Sequence, residues 1–106
     1  MEQEMYSVIL AQRADSILLS HAEFLARVSP AIARSLLSEF KAVINKLSKD
    51  PSQFPLADEI DVPGILPGKY RKCMFADFYK ALFQVKDSFI YVDAIIDCRQ
   101  ESINIF

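Results

Sequence analysis

The chain has 106 residues, 52% of them apolar and only two of them glycine. That is enough to bury roughly two-thirds of the unfolded surface around one core, and too apolar for a disordered segment. Twelve basic and fourteen acidic side chains give a net charge of −2, which excludes the broad basic stripe of a nonspecific nucleic-acid binder.

The charge is unevenly placed. Residues 1–68 carry six basic and nine acidic side chains, residues 69–106 six basic and five acidic, so a local pocket of two or three cations can still form in the second half. No apolar run approaches the ~20 residues of a membrane span, and the opening Met1-Glu2-Gln3-Glu4 is acidic where a secretory signal would be basic. Cys73 and Cys98 have neither metal-ligand spacing nor a disulfide-rich context. A single domain over 1–106 is expected, cytoplasmic, with reduced thiols and with no metal, cofactor or membrane contact.

In chain order, Met5 to Leu10 (MYSVIL) is rich in β-formers and predicts a first strand. From Gln12 the period changes, with Ala14, Ile17, Leu18, His21, Leu25 and Val28 on one helical face. Ser29-Pro30 ends that helix and starts the next, serine as cap and proline at the first helical position. The second helix runs to about Lys49 on a stripe of Ala33, Leu36, Leu37, Phe40, Val43, Ile44 and Leu47, and Asp50-Pro51 stops it. Two amphipathic helices joined this tightly predict an antiparallel hairpin.

Residues 51–68 hold four of the five prolines, both glycines and the acidic trio Asp58, Glu59 and Asp61, which predicts a loop with turns at Pro63-Gly64 and Pro67-Gly68. Three strand-like runs follow, Lys69 to Ala76, Phe78 to Val85 and Ser88 to Ile96, with Lys86-Asp87-Ser88 as a hairpin turn. By strict alternation Tyr79, Ala81, Phe83, Val85, Ile90, Val92, Ala94 and Ile96 face the helices. Phe78, Leu82, Phe89, Tyr91 and Ile95 then lie on the uncovered face, a larger apolar surface than a soluble monomer normally leaves open. The fold class is α+β, in the order β-α-α-β-β-β, with the helical hairpin packed on one face of a four-stranded, mainly antiparallel sheet.

The stretch ILPGKYRKCMFADFYKALFQVKDSFIYVDAIIDCRQ resembles the C-terminal half of the RelE/ParE toxin superfamily of bacterial toxin–antitoxin modules, which includes plasmid stabilisation proteins. The family pattern is a Leu-Pro-Gly turn, a strand with a basic pair, a Tyr-Arg-x-x-Tyr strand, and an apolar strand closing on an arginine. Here the turn is Leu66-Pro67-Gly68 and the pair is Arg71-Lys72; Tyr79, Lys80 and Phe83 stand in the third element, and Arg99 closes the last. The YSVIL strand, the Ala-x-x-x-Leu/Ile first helix and the Leu-x-x-x-Pro end of the second helix extend the similarity over about residues 5–100.

The resemblance implies a toxin neutralised by a cognate antitoxin, and two mechanisms. ParE-type members are associated with inhibition of DNA gyrase, whereas RelE-type members cleave messenger RNA on the ribosome. Cleavage needs cations around the phosphate and a group that moves protons. For that route Arg71 and Arg99 map as phosphate cations, with Lys69 or Lys72 assisting. The acid/base partner is missing from the expected C-terminal place: no histidine follows His21, no tyrosine follows Tyr91, and Asp97-Cys98 precedes the closing arginine.

Each candidate also has a structural reading. Arg71 can pair with Asp58, Glu59 or Asp61, and Arg99 with Asp97, Asp93 or Glu101. His21 reads as a satisfied core histidine, Tyr79 and Tyr91 as cross-strand packing residues, and Cys98 lacks a histidine to activate it. The expectation is therefore a ParE-like toxin acting by protein contact. Lys69, Arg71, Phe78, Lys80, Leu82, Phe89, Tyr91 and Arg99 are its antitoxin- or target-binding candidates, and a homodimer over the same face is the competing partner. The alternatives are a divergent ribonuclease using Arg71, Lys72 and Arg99, and a non-toxic interaction module of the same family.

Overall fold

The computed structural model describes residues 5–99. Strand β1 (Ser7–Leu10) leads into helix α1 (Gln12–Val28) and helix α2 (Pro30–Lys49), followed by a short 3-10 turn at Pro51–Gln53 and strands β2 (Arg71–Phe75), β3 (Tyr79–Lys86) and β4 (Phe89–Asp97). The sheet order is β1-β4-β3-β2, with β1 parallel to β4 and the other two pairings antiparallel. Helix pair and four-stranded mixed sheet are the expected α+β arrangement. Among the described residues no helix is long and apolar enough to cross a membrane.

The helical hairpin turns on one residue. Ser29 is extended (φ −157°), its Oγ accepts from the N–H of Ile32, and Pro30 occupies the first position of α2. Lys46 and Lys49 lie in the last turn of α2, where cations favour the helix dipole, and Asp50 ends it, its carboxylate accepting from the Ser52 N–H. On the sheet side α2 buries Ala33, Leu36, Phe40, Val43 and Leu47, and Phe40 meets Phe75 of β2 with ring centroids 5.3 Å apart. Leu37, expected in this stripe, is exposed: it stands one residue round from Leu36, outside the row that recurs every three or four residues.

The strand alternation holds along β3 but not along β4. Tyr79, Ala81 and Phe83 join the helix-side core with Ile90 and Val92. Between Leu82 and Phe83 the register shifts, Phe83 pairing with Val92 but Leu82 with Ala94, so Asp93 is an extra residue. A one-residue bulge reverses which face each later side chain meets. Ile95, expected outward, therefore enters the helix-side core, while Ala94 and Ile96, expected beneath the helices, turn to the other face. Val85 was also expected to be buried and is exposed. It overhangs β2, whose first residue, Arg71, pairs with Phe83.

That second face is not open. Ala57, Val62 and Tyr70 pack over Leu82, Ala94 and Ile96 as a second core, with Ile65 against it. Residues 54–70 thus form a cover that the strand pattern did not foresee. Phe54 anchors its start edge-on against Phe83, and the cover pairs with β2 through Leu56 and Arg71. Gly64 and Gly68 take φ +83° and +77°, the left-handed values that the two Pro-Gly turns require. Leu82 is completely buried, and of the five side chains expected on a bare face only Phe89 and Phe78 are classed as exposed, with Tyr91 half-buried.

Candidate functional site

The cations expected to share a site are distributed over two faces of the sheet. Alternation along β2 puts Arg71 with Cys73 and Phe75, facing the helices, and Lys72 on the covered face. Arg71 lies opposite Phe83, whereas Asp97, two residues before Arg99, lies opposite Tyr79. Four strand residues separate those positions, about 13 Å at the usual rise. Arg71 and Arg99 are engaged by different partners, Arg99 by Asp97. The Arg71 guanidinium donates to the Phe54 carbonyl instead of pairing with the acidic trio.

On the covered face the hub is Asp61. Its Oδ1 and Oδ2 accept from Lys72 Nζ and its Oδ1 from Lys80 Nζ, all at 2.8 Å, and its Oδ2 accepts from the Asp58 N–H. Asp58 in turn accepts from the N–H groups of Ile60 and Asp61, which tightens the turn presenting Asp61. Burial opposes ionisation of Asp61, but the hydrogen bonds from Lys72 and Lys80 outweigh it and hold the carboxyl well below the usual range. The same contact raises Lys72. Nearby, Asp93 accepts from Tyr70 Oη at 3.0 Å and Gln84 Nε2 at 2.6 Å. Burial, reinforced by Asp93, pushes Tyr70 up to about 12. Lys69 sits 5.3 Å from the Tyr70 ring centroid.

On the helix side, at the far end of β4, a second cluster forms around Arg99. Its Nε and Nη2 donate to the two carboxylate oxygens of Asp97 at 3.1 and 3.0 Å, and its backbone N–H donates to the same carboxylate. The guanidinium lies 4.2 Å from the Phe78 ring centroid, a cation–π contact. The hydrogen bonds from Arg99 lower Asp97 despite its burial, and Asp97 raises Arg99. Of the three partners foreseen for Arg99 the structure uses Asp97; Asp93 is engaged elsewhere, and Glu101 lies outside the described residues.

Helix α1 brings His21 to this cluster. Its Nδ1 is 3.0 Å from Tyr79 Oη and 3.9 Å from Asp97 Oδ2, and the two rings meet edge-on at 5.5 Å. Sequence order hid this constellation, because His21 precedes Tyr79 by 58 residues. The signal that could have found it is the position of His21 on the sheet-facing stripe of α1, opposite the end of β4. Burial raises the Tyr79 phenol, with Asp97 adding to it. Two open cavities, about 350 and 390 Å³, flank the cluster and share Leu25, Tyr79 and Arg99 in their walls. The site thus combines an imidazole, a phenol and a neutralised Arg–Asp pair beside apolar walls. Among the described residues no cluster of three or more His, Cys, Asp or Glu side chains is arranged to hold a metal ion. Cys73 is buried, which raises its thiol, and Cys98 is exposed.

No protein-family model matches the sequence, and no curated protein matches it. Among solved structures, a chain of the chromosomal ParDE TA system from P. aeruginosa is similar at 18% sequence identity and a TM-score of 0.67, over 90% of this chain and 98% of that one. At that identity the likeness shows the fold, and the fold is the ParE-like one that the sequence resemblance implied.

Proposed function

We propose that this chain is the toxin component of a type II toxin–antitoxin module, a cytoplasmic protein that works by protein contact and is neutralised by a cognate antitoxin. The observation that carries the reading is the near end-to-end match of the fold to a chain of a ParDE system. The charge arrangement favours protein contact over RNA cleavage. Arg99 is spent on Asp97, Lys72 and Lys80 on Asp61, and Arg71 on a backbone carbonyl, so none of them is poised for a phosphate. Of the proposed contact residues, Phe78, Arg99, Phe89, Tyr91 and Lys69 offer accessible surface, whereas Leu82 supports the site from inside. DNA gyrase is the target to test first.

One observation favours the ribonuclease reading: His21 supplies, beside Arg99, the proton-moving group that sequence order placed out of reach. The two readings separate by experiment. Induced expression in bacteria is expected to arrest growth, co-production of the product of the adjacent reading frame to relieve it, and the two proteins to co-elute on size exclusion. Supercoiling by purified gyrase should fall in the presence of the chain, while ribosome-bound messenger RNA stays intact. Harmless overproduction without a complex would leave an interaction module or a homodimer, and ribosome-stimulated cleavage would establish the second reading.

A further inference from the structure

We infer that Asp61 is a built-in stand-in for a carboxylate of the protein partner: residues 56–68 lift from the sheet, and an acidic, apolar segment of the partner takes their place over Lys72, Lys80, Leu82, Ala94 and Ile96. This names the docking face for the contact proposed above and rests on that reading only for the partner's being a protein.

The two ammonium groups are placed by the sheet and not by the cover. Lys72 of β2 lies opposite Leu82, and Lys80 of β3 lies opposite Met74, so the two lysines share a face as diagonal neighbours on adjacent strands. Both reach one carboxylate at 2.8 Å, and with that carboxylate withdrawn they remain a two-cation site. Beside them Leu82, Ala94 and Ile96 make an apolar floor. Paired cations next to such a floor complement a segment that carries acidic and apolar side chains together.

The cover is anchored at its ends and lightly held between them. Phe54 is fixed by the Phe83 ring and by the Arg71 guanidinium on its carbonyl, and Tyr70 by its hydrogen bond to Asp93. Across residues 55–69 the buried side chains are Ala57, Asp61 and Val62, two small apolar groups and the carboxylate itself. Open cavities of about 330 and 310 Å³ border the segment, and Ile60 beside Asp61 is 93% exposed. A segment with so few buried contacts opens locally, without unfolding the sheet. Its own chemistry, Asp61-Val62 preceded by Ala57, is the pattern that a partner must reproduce.

The test uses the full chain and, as probe, a fluorescent peptide with the sequence of residues 54–66. In the wild type the Ala57 amide, which donates to the Tyr70 carbonyl, should exchange roughly tenfold or more faster than the ladder amides of β3 and β4. By anisotropy the probe should bind Asp61→Asn roughly tenfold or more tightly than the wild type, where the tethered segment competes at an effective concentration in the millimolar range. Binding should be lost in the Asp61→Asn/Lys80→Met chain, with circular dichroism confirming the fold, and lost when the peptide itself carries Asp61→Asn. Equal binding by wild type and Asp61→Asn would overturn the inference, as would an Ala57 amide that exchanges only with the ladder. So would a short RNA that occupies the lysines of Asp61→Asn where the peptide does not. None of these outcomes bears on growth arrest or gyrase inhibition, which test the toxin reading separately.

Discussion

Asp61 is a carboxylate turned inward from a loop toward two lysines on different strands, so its charge ties the cover to the sheet. Replacing it with alanine leaves two ammonium groups facing each other with their shared partner gone. Asp61→Ala should cost on the order of 2–3 kcal/mol, below the full value for a buried pair because Lys72 keeps partial solvent access; urea unfolding at neutral pH measures it. The pH dependence has a definite sign. The folded-state pKa lies below the unfolded one, so the stabilisation is complete above the unfolded carboxylate range and is lost as pH falls through and beneath it. Asp97, lowered by Arg99, acts in the same direction. Stability should therefore drop steeply below about pH 4, and Asp61→Asn should flatten that drop. The acidic trio was legible as a source of partners, but its lysines were not, because they lie 11 and 19 residues away and meet Asp61 only when the loop folds over the sheet.

Among the elements, β4 and the cover illustrate how one residue redistributes a core. The extra residue at Asp93 turns Ala94 and Ile96 to the covered face and brings Ile95 under the helices. Deleting Asp93 would restore strict alternation and send all three to the wrong side, and the variant should lose cooperative thermal unfolding by circular dichroism. Phe40→Ala, which empties the α2–β2 contact, should cost on the order of 3–5 kcal/mol in urea unfolding. At Gly68 a Cβ would meet no atom within 4 Å, yet φ is +77°. Gly68→Ala should thus cost about 1 kcal/mol through the backbone alone, and a measured change near zero would show that the turn relaxes. The helices, their caps and both Pro-Gly turns were readable because those signals are local. A bulge has no such signature, and neither does a loop that covers a sheet.

For the whole molecule, the covering of the second sheet face changes what the apolar surplus means. Much of it is satisfied within the chain, while Phe24 and Phe78 stay exposed beside the Arg99 cluster and Phe89 at the opposite end of β4. Purified protein with ribosomes and messenger RNA is expected to leave the RNA intact. Arg71 is held by the Phe54 carbonyl and Arg99 by Asp97, so each would have to leave its partner to grip a phosphate as its charge builds. Cleavage lost in both Arg99→Ala and His21→Gln, but retained in Arg71→Ala, would instead locate a nuclease in the Arg99 cluster alone.

The sequence by itself determined the element order, the tight helical hairpin, the α+β class and the resemblance in fold, because helical and strand periodicities, serine and proline capping and Pro-Gly turns act over a few residues. Tertiary structure alone decided that Ile95 rather than Ala94 lies beneath the helices, that Leu82 is sealed under residues 54–70, and that Asp61 takes both lysines. It also decided that His21 meets Tyr79 and Asp97. Each of these depends on register or on contact between residues distant in the chain, and a single inserted strand residue or the path of one loop is enough to reverse it.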